Sequence, residues 1–261
     1  MKINLKNSLI LGVICLIFLI SRIYNLESLP VFGDEAIYIR WAQIIKSVDT
    51  LRFIPQTDGK QPLFMWLNAI TLRFISDPLI SGRLISVFSG LGILITLFLI
   101  SHSFLPSLIY LFLPFTFFFD RLATADTLLS FFGIFSLYLS LKLAKYPRFD
   151  LAMILGVILG LAWLTKSPAI YFIVLSILTF IVYNLKNLKK LYFPILSAFI
   201  AFCLYNILHL GPAFDQIALR NKDYIWPLTE VLKHPLDPLI PHLKDTLNIY
   251  QYFLSDRKSV V

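Results

Sequence analysis

Long apolar runs separated by short polar stretches dominate this chain. Runs over 8–24, 82–104, 107–119, 125–144, 150–164, 168–185 and 191–209 approach the roughly 20 residues that a membrane-crossing helix needs, the third and fifth being short. The pattern predicts an all-α polytopic membrane protein with about seven transmembrane helices. The opening "MKINLKNSLILGVICLIFLISR" has the basic start and apolar core of a signal peptide. No small-x-small cleavage site follows it, and Arg22 comes directly after, so it reads as an uncleaved first transmembrane helix.

Residues 25–81 form the first long connection. From Asp34 onward, Ile37, Trp41, Ile44, Ile45 and Val48 recur at helical spacing. They predict a helix lying on the outer leaflet, with Asp34 at or near its N-terminus. The run 62–76, "PLFMWLNAITLRFIS", is short, carries Asn68 and Arg73, and starts with a proline suited to a first helical turn. It reads as an interfacial helix. As a true span it would invert everything after it.

Basic residues decide between these threadings. With 62–76 interfacial and the N-terminus cytoplasmic, Lys2 and Lys6, then Lys142, Lys145 and Arg148, then Lys186, Lys189 and Lys190 fall inside. The short outer connections then hold only Arg121 and Lys166. The alternative puts the two most basic short loops outside. Composition agrees with a membrane protein: 58% of residues are hydrophobic, 15% are charged, and mean hydropathy is +0.78. The net charge of +8 is spread between the apolar runs and forms no nucleic-acid patch. Cys15 and Cys203 both lie inside apolar runs, so no disulfide and no cysteine-based metal site is expected.

This threading gathers polar groups at one face: Asp34, Glu35, Asp58 and Lys60, then Arg121 and Asp126, then Lys166, then Arg220. Ionisable groups at membrane depth are costly and mark function by default. Each has a plainer role as well. Asp34 can cap its helix and Glu35 can favour the positive helix end. The two cannot share one helix face, because neighbours are about 100° apart. Lys60 and Lys166 can snorkel to headgroups. Asp120 can pair with Arg121, and Asp126 can cap the next helix.

Four stretches, in order, resemble one family: "SRIYNL…FGDEAIY", "GKQPLFMWL", "RLATADTLLSFF" and "GLAWLTKSPA". The chain is similar to the GT-C superfamily of polyprenyl-phosphate-sugar-dependent glycosyltransferases, in the protein O-mannosyltransferase and aminoarabinose transferase branch. The resemblance covers most of residues 15 to 170. It implies an outer loop after the first helix with interfacial helices and an acidic motif, in a bacterial or archaeal cytoplasmic membrane. It makes Asp34 the catalytic base and puts Lys60 near the donor phosphate. Glu35, Tyr38, Arg121, Asp126 and Lys166 become substrate-binding candidates. Gln61 departs from the first proline of a "KPPL"-like motif, and Ser167 from the glycine of an "LTKG"-like one.

The implied reaction moves a sugar from a polyprenyl-phosphate donor to a protein, lipid or glycan acceptor hydroxyl, with inversion. Positive charge on the leaving phosphate assists it, from Lys60, Lys166 and Arg220. Asp126 could orient the acceptor or position Asp34. No certain cofactor is implied, and a divalent cation stays open. The competing reading is a transporter or lipid-binding membrane protein, which should carry charges at mid-helix rather than at one interface.

Residues 1–209 thus read as the transmembrane catalytic core, with the outer loop at 25–81. Residues 210–255 read as a further outer loop with short helices, where a metal site at His209, His234 and His242 lacks tight ligand spacing. The closing "DRKSVV", 256–261, resembles a translated sequencing adapter and is expected to be non-native, with the chain an N-terminal fragment.

Overall fold

The computed structural model describes residues 5–48, 50, 59–185, 188–211, 214–217, 219, 228–237 and 239–254. Lys2, Asp58, Lys186, Arg220 and the 256–261 tail lie outside these described residues. The described residues are helical, with no strand among them. In order they form α1 (Leu5–Ile23), α2 (Gly33–Ser47), α3 (Leu63–Thr71), α4 (Pro78–Ser101), α5 (Leu105–Phe112) and α6 (Pro114–Phe119). Then come α7 (Ala125–Lys145), α8 (Phe149–Thr165), α9 (Ile170–Tyr183), α10 (Tyr192–Asn206), α11 (Leu228–Lys233) and α12 (Leu239–Leu254).

Among the described residues, four segments are long and apolar enough to cross a membrane: α1, α4, α7, and α10 with its extension to Leu210. Helices α8 and α9 are shorter apolar helices. The run 107–119, expected as one span, is instead two helices broken at Pro114. Leu113 takes an extended conformation, as a residue before proline prefers, and the chain restarts from Pro114. At nine residues, α3 is roughly 14 Å long and too short to cross a hydrocarbon core of about 30 Å. Asp77 starts α4 by accepting bonds from the amides of Leu79 and Ile80, at 2.8 and 2.9 Å, with Pro78 in the first turn.

Small residues set how closely the bundle packs. A Cβ on Gly156 of α8 would lie 2.7 Å from the Ile200 Cβ, and one on Gly160 would lie 2.6 Å from a Leu204 methyl of α10. Those glycines are four apart, which is the spacing of close membrane-helix crossings. Ser197 seals the same seam by donating to the Ala152 carbonyl at 2.8 Å. Helix α4 meets the polypeptide before α7 in the same manner. Gly82 faces Ala123 and Gly90 faces the Asp120 carboxyl, each too close for a Cβ.

Helix α2 corrects one expectation. It does not simply rest its apolar stripe on lipid. Tyr38, Trp41, Ala42 and Ile45 turn into a protein core with Leu63, Phe64 and Met65 of α3, Leu128 of α7 and Ala162 and Leu164 of α8. Phe64 is fully buried and meets the Tyr38 ring edge-on, with centroids 5.2 Å apart. The core therefore clamps both short helices onto the end of the bundle where α4 and α7 begin and α8 finishes.

The α8–α10 seam yields a direct test. Gly156→Val should destabilise the protein by about 1–3 kcal/mol through overpacking. Gly12→Val, at a position with open space around it, should not. Thermal unfolding in detergent, read by circular dichroism, separates the two.

Candidate active site

The two adjacent acids at the start of α2 have different fates. Helix α2 is capped from Phe32, so Asp34 is its second residue and Glu35 its third. Glu35 Oε2 accepts from the Phe32 amide at 3.0 Å, which is the side-chain-to-backbone half of a capping box. Capping therefore belongs to Glu35, not to Asp34 as the sequence suggested.

Glu35 is fully buried and paired in bidentate fashion with Arg83 of α4, with both N–O distances 3.0 Å. Its Oε1 also accepts from the Ala123 amide at 2.6 Å. Arg83, equally buried, donates to the carbonyls of Leu26 and Leu29 at 2.6 and 3.0 Å. In place of the substrate contact expected of it, Glu35 together with Arg83 ties α2, α4, the 26–30 turn and the segment before α7 into one unit. Sequence reasoning missed Arg83, although an arginine just inside the apolar run 82–104 was a signal of a buried partner.

Arg121 departs from expectation in the same way. It is 7% exposed and donates to the carbonyls of Tyr24 and Asn25 and to the Ser28 hydroxyl. Asn25 stands in the left-handed region at φ 49°, and Arg121 holds that turn. Arg121 does not pair with Asp120. Asp120 is buried beside Arg22, at 3.6 Å, and accepts from the Tyr110 hydroxyl at 2.7 Å. The Arg22 guanidinium sits between the Phe18 and Phe117 rings, 4.6 and 4.8 Å from their centroids.

Asp34, Lys60, Asp126 and Lys166 reach solvent, whereas Tyr38 is buried. Asp34, with half its side chain exposed, meets Lys60 at 3.0 Å. The Lys60 ammonium also lies 5.4 Å from the centre of the Tyr38 ring, which packs beneath it. Asp126, expected as a possible cap, makes no cap bond. It meets Lys166 at 2.6 Å, and both side chains are well exposed. Lys166 ends α8 in an extended conformation before Pro168.

One contact joins the two pairs. Gln61 is 3% exposed and donates its side-chain amide to the Ser167 hydroxyl. The residue after Lys60 is thereby bonded to the residue after Lys166. Two carboxylates and two ammonium groups thus stand on the accessible side, with the buried Tyr38 ring beneath Lys60 and buried ion pairs below. No three His, Cys, Asp or Glu side chains gather in one place among the described residues.

This division predicts opposite stabilities for the adjacent acids. Glu35→Gln leaves Arg83 uncompensated in the interior and should cost about 3–5 kcal/mol. Asp34→Asn loses only an exposed pair and should stay within about 1 kcal/mol of wild type. Thermal unfolding of both variants in the same detergent checks this.

A search of curated proteins returned no significant match. Among solved structures, the chain is similar to the S. cerevisiae protein O-mannosyltransferase Pmt1-Pmt2 complex bound to the sugar donor. The TM-score is 0.56 at 14% identity, over 83% of this chain and 35% of that one. This likeness establishes the GT-C fold. The chain spans about a third of the length of that relative. The family model for dolichyl-phosphate-mannose-protein mannosyltransferases matches residues 59–209, which include Lys60, Gln61, Arg83, Asp126 and Lys166. By that match over more than half its length, the chain belongs to the dolichyl-phosphate-mannose-protein mannosyltransferase family.

Proposed function

We propose that this chain carries the catalytic face of a membrane glycosyltransferase that moves a sugar from a polyprenyl-phosphate donor to an acceptor hydroxyl on the outer face of the membrane. Residues 1–209 form the core of that site, and 210–255 belong to a further outer loop. The N-terminus is cytoplasmic. The observation that carries the reading is the pair of exposed Asp–Lys contacts at one end of the bundle, Asp34–Lys60 and Asp126–Lys166.

Two ammonium groups at a membrane surface suit a phosphate held at headgroup depth. Lysine serves as a point charge for it. The phosphate leaves as the bond from the sugar's anomeric carbon to the phosphate oxygen breaks. Charge develops on that oxygen, and fixed cations nearby stabilise it. On the opposite side of the anomeric carbon the acceptor oxygen attacks. Its proton passes to the Asp34 carboxylate. One displacement inverts the anomeric centre. Asp126 orients the acceptor or the base, and Tyr38 supports Lys60 from below. The acceptor is a protein, a lipid or a glycan.

A transporter reading fits less well. Its charges should line a path through the bundle, whereas the buried Glu35–Arg83 pair is closed off by its own partners.

In the complete protein, Asp34→Asn should lower transfer about a hundredfold to ten-thousandfold while donor binding persists. Lys60→Ala should lower kcat/KM for the donor about a hundredfold. Transfer of radiolabelled sugar from a synthetic polyprenyl-phosphate donor measures both. Near-wild-type transfer by Asp34→Asn would remove the base assignment.

A further inference from the structure

Both lysines stand on irregular backbone between helix ends. Lys60 lies in the link before α3, and Lys166 in the extended corner between α8 and the 3-10 turn Ser167–Ala169. Such corners leave long side chains room to drift, and two like charges repel. Each is opposed by a carboxylate from a different helix, Asp34 of α2 and Asp126 of α7. Neither pair by itself fixes one lysine relative to the other.

The Gln61–Ser167 bond does so. Gln61 is almost wholly buried, and its side chain also hydrogen-bonds the Tyr205 side chain of α10. A buried amide requires a partner, so its bond is directional and hard to exchange for water. Each end of the bond is one residue from a lysine. The two positions are also the two departures from the motifs that the sequence resembles. Proline and glycine, which stand there in those motifs, offer no side chain that could form this bond.

We propose that Gln61 is a positioning residue, which through Ser167 sets the spacing of the Lys60 and Lys166 ammonium groups and makes the two lysines a single cradle for the phosphate of a lipid-linked donor. The proposal rests on the glycosyl-transfer reading. It adds a coupling between two corners of the chain 106 residues apart.

The test is a double-mutant cycle on the complete protein in lipid nanodiscs, titrated with a polyprenyl phosphate that carries no sugar. Gln61→Leu and Ser167→Ala should each weaken its Kd about fivefold to tenfold. The double variant should be no weaker than Gln61→Leu alone, because Ser167→Ala then has no Gln61 bond left to remove. Ser167→Thr, which keeps the hydroxyl, should bind as wild type does. Purely structural residues would lower the thermal midpoint and leave Kd unmoved. That result, or additive losses in the double variant, would overturn the proposal. If the wild-type protein binds no polyprenyl phosphate, the proposed function falls and this inference with it. If wild type binds and the variants bind equally, only the positioning role falls.

Discussion

The fully buried ion pair between Glu35 and Arg83 is the constraint on which the rest of this end of the molecule depends. A carboxylate and a guanidinium in an apolar bundle are tolerated only when their remaining hydrogen-bonding capacity is met. Here it is met by the backbone of two connections: the α1–α2 link, through the 26–30 turn and the Phe32 amide, and the link before α7, through the Ala123 amide. Those connections are the ones that present Asp34 and Asp126. Every group that satisfies the pair therefore also fixes where an exposed carboxylate stands. The pair adds little net stability compared with an apolar substitute. Its contribution is to geometry.

Two layers result. The lower layer is closed: Glu35 with Arg83, Asp120 with Arg22 and Tyr110, and Arg121 with the carbonyls of the 24–25 turn. The upper layer is accessible: Asp34 with Lys60 and Asp126 with Lys166. The lower layer rigidifies the helix ends that it joins. The upper layer has exposed charges whose partners an incoming anion could exchange at little cost, because surface pairs are weak.

Much of the fold was legible in hydropathy. The apolar runs gave α1, α4, α7, α8, α9 and α10 to within a few residues, and the spacing from Asp34 gave α2. The run 107–119 misled because Pro114 sits inside it, and apolar content says nothing about a missing N–H. The accessible layer was also legible, since charges recur at one predicted face. The closed layer was not. Which of two adjacent acids turns inward depends on whether a distant arginine reaches it, and Arg83 lies 48 positions further along the chain. Likewise, nothing local to Arg121 announced that its partners would be carbonyls near residue 25. The Gln61–Ser167 bond links two residues that looked only like separate departures from a pattern.

The central claim is that a lipid-linked phosphate docks on the face formed by Asp34, Lys60, Asp126 and Lys166. Photo-crosslinking tests it most directly, using a polyprenyl phosphate with a diazirine on the isoprene unit next to the phosphate. With the complete protein in nanodiscs, labelling should fall on the peptides that carry residues 34–38, 59–64 and 163–169, and excess unlabelled polyprenyl phosphate should compete it away. Labelling confined to the lipid-facing side chains of α9, or labelling that competitor does not reduce, would contradict the account.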